Sequence, residues 1–206
     1  MTHPILEVRN LKKTYSRGLI AKKQTFSLEG SFKLDKPEIV GVMGPNGAGK
    51  TTLFELLSGS NVPTSGQILC GGRDIQTVKY RERDRMVIHY HQSYQVRSVK
   101  KTKPSFMLKP SESTYPLVHI FDEPQFSTQD GYIGFMLSFF KRLRAEGRVV
   151  MLCVHPYEPF HIDIMRQNCE RFLFVVAGGR VAELPTYHKL REHPGVRDYL
   201  GALADC

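Results

Sequence analysis

Short apolar runs, rich in β-branched and aromatic residues and separated by charged turns, set the pattern of this chain. Residues 5–8, 25–28 and 31–34 read as strands, with Lys12-Lys13, Lys22-Lys23 and Asp35-Lys36-Pro37 as turns between them. That pattern predicts a small antiparallel sheet. Residues 39–43 are apolar throughout and predict a buried strand. Residues 52–57 read as the first turns of a helix that stops near Gly59. Residues 65–72 form a strand ending in a tight turn, and 86–90 form another. Lysine, serine and proline dominate 93–116, where Pro104 and Pro110 break any helix of useful length. Further on, 117–121 is a strand, 133–144 a helix with an apolar face, and 149–154 a strand. Residues 172–177 and 180–183 pair as a hairpin through Gly178-Gly179. Alternation of strands and helices predicts an α/β fold with a parallel sheet flanked by helices.

Composition narrows the class. With 206 residues and 41% hydrophobic content, one compact domain with a real core is expected over residues 1–206. No stretch approaches the ~18 apolar residues that span a bilayer. The opening MTHPILEVRN has no apolar segment of the signal-peptide kind. A soluble cytoplasmic protein is expected, one that could still sit on a membrane protein. Cys70, Cys153, Cys169 and Cys206 are widely spaced and form no C-x-x-C, which argues against a zinc or redox motif. The net charge of +9 is partly local. Ten basic residues from Arg73 to Lys109 face only Asp74, Glu82 and Asp84. This is either a patch for nucleic acid, anionic lipid or an acidic partner, or a solvated surface with a basic bias. Thin aromatic interleaving favours the second.

Candidate chemistry centres on Gly44 to Thr51, GPNGAGKT, which fits the phosphate loop G-x-x-x-x-G-K-[ST] without mismatch. A strand precedes it and a helix follows. Gly44, Gly47 and Gly49 let the backbone approach a ligand with its N–H groups turned inward. The helix N-terminus adds unpaired donors and the positive end of a dipole. Lys50 brings charge to the β- and γ-phosphates of a nucleotide, and Thr51 offers a hydroxyl to Mg²⁺. The strand 117–121 runs into Asp122 and Glu123, carboxylates at the sheet edge where ligands bind. Asp122 would hold Mg²⁺, and Glu123 would orient or deprotonate an attacking water. Asp-Glu-Pro read alone is also a polar turn. His155 follows the next strand and can reach a γ-phosphate, or is simply a turn histidine.

With these residues in hand, the chain resembles an ATP-binding cassette (ABC) ATPase domain over most of its length, apart from about residues 93–116. GPNGAGKTT, from Gly44 through Pro45, Asn46, Gly47, Ala48, Gly49, Lys50 and Thr51 to Thr52, is similar to the family's Walker A loop. LVHIFDEP resembles its Walker B strand, which implies Glu123 as the catalytic glutamate. MLCVH implies His155 as the switch histidine. VIHYHQS resembles the Q-loop, which puts Gln92, ahead of Gln95, on Mg²⁺ and the attacking water. TSGQI and FLFVVAGGRVAEL resemble further family segments, and Tyr15 falls where the family stacks an aromatic on adenine. The resemblance implies a P-loop NTPase fold of ABC type, with a mixed core sheet, an N-terminal antiparallel β subdomain and a reduced helical subdomain. It implies ATP and Mg²⁺ as cofactors and ATP hydrolysis as the activity.

Two departures qualify this. The LSGGQ signature is missing, and 30 positions separate Gln92 from Asp122, so a shortened loop at 93–116 replaces the helical subdomain. Gln129 stands where the family has aspartate, with Asp130 one place late. Because the family sandwiches ATP between two cassettes, a heterologous cassette supplying the signature is the expected partner. Separate transmembrane subunits are also expected, with the chain peripheral on the inner face of the cell membrane. Competing readings are a non-transport ATPase or regulator acting on a soluble or nucleic-acid partner, and a scaffold that barely hydrolyses. The presence of Lys50, Asp122, Glu123 and His155 together argues against the last.

Overall fold

The computed structural model describes residues 3–18, 23–90, 116–124 and 132–205. Two sheets organise them. In the first, β1 (Leu6–Arg17) pairs antiparallel with β2 (Lys23–Leu34) and β4 (Ser65–Cys70), and the two-residue β5 (Arg73–Asp74) completes the order β2-β1-β4-β5. In the second, β3 (Ile39–Met43), β6 (Val87–Tyr90), β7 (Val118–Asp122), β8 (Val149–Cys153) and β9 (Arg171–Val175) run parallel. An antiparallel β10 (Val181–Leu184) closes the order β10-β9-β3-β8-β7-β6. All five positions of β3, β7 and β8 are buried, as expected for parallel strands covered on both faces.

The N-terminal strands run longer than the sequence pattern indicates. The segments 25–28 and 31–34 belong to one continuous β2, and β1 passes through Lys12-Lys13 without turning. Lys12 and Lys13 keep their ladder partners, Glu29 and Leu28, so the two charges do not end the strand. The register shifts instead between Val8 and Leu11, where Asn10 takes φ 45°, and again between Tyr15 and Ser16.

Helices cover both faces of the parallel sheet. On one side lie α1 (Lys50–Leu57) and the antiparallel sheet, with Leu53, Phe54, Leu56 and Leu57 buried among Val40, Val42, Val118 and Ile120. A short α2 (Tyr80–Arg83) leads into β6. On the other side, α3 (Tyr132–Ala145) buries Met136, Phe139, Phe140 and Leu143, an i, i+3, i+4, i+7 stripe. Three helices not anticipated from the sequence share that face: α4 (Pro159–Asn168), α5 (Tyr187–Glu192) and α6 (Pro194–Leu200), followed by a 3₁₀ turn over Gly201–Asp205. α4 closes tightly on the sheet. A Cβ added to Gly41 in β3 would lie 2.7 Å from the Met165 side chain.

Candidate functional site

Sheet order brings the chemistry together. β8 lies between β3 and β7, and Cys153 is in register with both Val42 and Asp122. The loop after β3, the acidic end of β7 and the loop after β8 therefore meet at one carboxyl edge. There they line a cleft of about 320 Å³ with Asn46, Gly47, Gly49, Lys50, Thr51, Thr52, Glu123 and His155 on its walls.

The glycine loop has the conformation its composition requires. Gly47 has φ 76° and Gly49 φ 108°, backbone that side chains avoid. A Cβ on Gly49 would also strike the ring of Phe26 at 2.6 Å, and one on Gly44 would meet the Val175 carbonyl at 2.4 Å. Ala48 is buried, and its N–H donates to the Pro45 carbonyl at 3.2 Å. Gly49 caps α1 without a side-chain hydrogen bond, so the first-turn N–H groups face the cleft uncapped. Lys50 is 7% exposed. Its Nζ donates to the carbonyls of Gly44 at 2.7 Å and Pro45 at 3.0 Å, and no carboxylate lies within ion-pair distance of it among the described residues. Desolvation lowers its pKa from the ordinary lysine value.

Opposite this loop, Asp122 is buried, and its Oδ2 accepts from the Thr51 hydroxyl at 3.4 Å. Glu123 takes φ 53°, left-handed backbone that a glutamate rarely adopts. Its N–H donates to the Cys153 carbonyl at 3.1 Å. The turn carries its carboxylate to His155, with Oε1 2.7 Å from Nε2. Burial and then Lys50 lower the His155 pKa from the ordinary value, against the opposing pull of Glu123. A buried ammonium without a carboxylate partner is costly unless an anion joins it. Uncapped amides, that ammonium, and a hydroxyl beside a carboxylate are the donor set of a magnesium-bound polyphosphate.

Of the residues singled out from the sequence, the structure brings Asn46, Gly47, Gly49, Lys50, Thr51, Thr52, Glu123 and His155 to the cleft, with Asp122 on Thr51. Gln92, with Gln95, Gln129 and Asp130, lies outside the described residues. Tyr15 does not reach the cleft wall. Its hydroxyl accepts from Asn61 Nδ2 at 2.8 Å, and its ring sits 6.1 Å from that of Phe26. Phe26 is the aromatic that lines the cleft. Sequence reading also missed two neighbours. His89 Nε2 lies 3.6 Å from Asp122 Oδ2, and the Tyr199 hydroxyl lies 3.4 Å from His155 Nδ1. Parallel pairing of β6 with β7 was the available signal for the first. The second needed α6, which the sequence pattern did not disclose.

Among the described residues, no helix is long and apolar enough to cross a membrane. Solved structures share the fold. A nucleotide-free ATP-binding cassette from an ABC transporter matches with TM-score 0.68 at 16% identity, covering 95% of this chain and 98% of that one. A dimeric cassette bound to ADP and Pi matches with TM-score 0.63 at 15% identity, over 87% of this chain and 98% of that one. Sequence relatives match over shorter stretches. The Energy-dependent translational throttle protein EttA of Escherichia coli (strain K12) is 45% identical over 75 residues, 36% of this chain and 12% of EttA. The Spermidine/putrescine import ATP-binding protein PotA of Malacoplasma penetrans is 36% identical over 78 residues, 38% of this chain and 12% of PotA. The chain thus aligns with about an eighth of the length of these curated relatives. The profile of the ABC transporter family matches residues 29–132, just over half of the sequence, from β2 through the phosphate loop and the acidic strand to the start of α3. The chain belongs to the ABC transporter family.

Proposed function

We propose that this chain is an ATP-binding and ATP-hydrolysing subunit of an ABC transporter or a related membrane complex, coupling ATP-driven pairing of two cassettes to a partner. The supporting observation is the meeting in one cleft of the buried Lys50 ammonium with the Glu123–His155 pair. When bound, Mg²⁺ and ATP supply the phosphoanhydride bond and the neutralisation of its phosphate charge. Lys50 and the uncapped amides of α1 bind the phosphates. Thr51 and Asp122 hold the ion, joined in this proposal by Gln92. Glu123 takes the proton of the attacking water, and His155 holds the glutamate in place. The missing signature implies a second, heterologous cassette to complete the site. Residues 1–206 act as one cassette domain, with separate membrane-spanning subunits at the inner face of the cell membrane.

The test is purification from detergent-solubilised membranes with and without ATP. Co-purification of one integral membrane protein and one signature-bearing cassette, enriched by ATP, is the expected result. A complex made only of soluble chains would contradict it. The similarity to EttA supports a second reading, an ATPase acting on a soluble or nucleic-acid partner. That reading predicts association that weakens steeply with salt.

A further inference from the structure

His155 is held from two sides. Its Nε2 meets Glu123 Oε1 at 2.7 Å, and its Nδ1 lies 3.4 Å from the hydroxyl of Tyr199. An ionised glutamate only accepts hydrogen bonds, so in the neutral ring Nε2 carries the proton and Nδ1 offers a lone pair. The Tyr199 O–H must then be the donor.

Tyr199 is placed firmly enough to matter. It lies on α6 between Val196 and Leu200, both buried in the core on that face of the sheet. Its ring packs 6.1 Å from that of Phe174 on β9. Burial pushes its phenol well above the ordinary tyrosine range, which keeps the proton on the oxygen. The imidazole also has a stacking neighbour, Tyr157, at 5.8 Å and 24°. That ring is 76% exposed.

We propose that Tyr199 is a positioning residue for His155: its hydroxyl donates to Nδ1, fixes the Nε2–H tautomer and aims that N–H at Glu123 and the phosphate side of the cleft. α6 thereby sets the state of a residue 44 positions earlier in the chain. The consequence for turnover rests on the proposed hydrolysis; the tautomer does not.

The experiment is nitrogen-15 NMR of histidine-labelled, nucleotide-free protein at about pH 8, above the ordinary histidine pKa. Wild type, Tyr199→Phe and Tyr157→Phe are compared, with thermal unfolding confirming that each folds. The wild type is expected to show His155 as the Nε2–H form with a hydrogen-bonded Nδ1. Tyr199→Phe keeps the ring packing and removes the donor. Its Nδ1 resonance should move to that of an unbonded acceptor, and the tautomer ratio should fall about fivefold. Tyr157→Phe should match wild type. A wild-type Nδ1–H form, or identical His155 spectra for wild type and Tyr199→Phe, would overturn the proposal. In ATP turnover, Tyr199→Phe should lower kcat about fivefold with KM unchanged. An unchanged kcat would remove the positioning role. A wild type that never turns over ATP would instead overturn the hydrolytic reading and leave the NMR result to decide the tautomer.

Discussion

Glu123 Oε1 and His155 Nε2 lie 2.7 Å apart in the same cleft that Lys50 lines. The contact depends on backbone as well as side chains. Glu123 reaches the histidine because its φ of 53° turns the chain out of β7 one residue after Asp122. Left-handed backbone at a non-glycine residue costs on the order of 1–3 kcal/mol and persists where the surroundings enforce it. Here the Glu123 N–H on the Cys153 carbonyl and the hydrogen bond with His155 do so.

Replacing Glu123 with Gln removes the base and keeps the shape. ATP affinity should stay within about threefold of wild type while turnover falls on the order of 10²–10⁴-fold. Binding by fluorescence titration and phosphate release, measured on the same preparation, check this. Unchanged turnover would place the base elsewhere.

The base of a bound nucleotide should meet Phe26 before Tyr15, because Phe26 lines the cleft and Tyr15 does not. A base–aromatic stack contributes about 1–3 kcal/mol, so Phe26→Ala should weaken ATP binding roughly tenfold or more. Tyr15→Ala should weaken it less. Titrating both variants with ATP and with inorganic triphosphate separates the contribution of the base from that of the phosphates. A larger loss in Tyr15→Ala would reverse the order.

Acid should destabilise the fold through His119. This side chain is fully buried on β7, its ring nitrogens near the Tyr90 hydroxyl and the Pro116 carbonyl, each at 3.2 Å. Burial drives its pKa from 6.5 down to about 3. Between those values the unfolded chain binds a proton that the native chain refuses, so stability falls as pH falls. The slope from this one group is about 1.4 kcal/mol per pH unit. His155 and His161, also lowered by burial, act in the same direction. Urea unfolding at a series of pH values from 7 to about 4 should show a shallower slope for His119→Gln than for wild type. Equal slopes would mean that His119 is protonated in the native state.

The parts of this fold that the sequence discloses are those with strong local patterns. The apolar run into GPNGAGKT and the apolar run into Asp122-Glu123 each predict a buried strand with a polar end, and β3 and β7 fit that description. The stripe of Met136, Phe139, Phe140 and Leu143 makes α3 equally legible. α4 was not, because its apolar residues Ile162, Ile164 and Met165 lie among Pro, His and Asp with weak periodicity. Its existence depends on packing over Gly41, a tertiary fact. The short α5 and α6 bury only Leu190, Val196 and Leu200, too few positions to set a helical period. The Tyr199–His155 contact was hidden with them. Phe26 was missed for a related reason. Once 25–28 and 31–34 become one long strand paired with β1, Phe26 stands over Gly49, and nothing local to its own segment says so.

In the proposed site, the glycine loop and Lys50 hold the triphosphate facing Asp122 and Glu123. Calorimetric titration of Mg²⁺–ATP into wild type and Lys50→Ala tests it most directly. Lys50 Nζ donates to the Gly44 and Pro45 carbonyls, so thermal unfolding of nucleotide-free Lys50→Ala is followed alongside to establish that the variant is folded. One site is expected in wild type, with an affinity lower by about 100-fold or more in the variant, from loss of a desolvated charge on a phosphate. Equal affinities in the two proteins would contradict it.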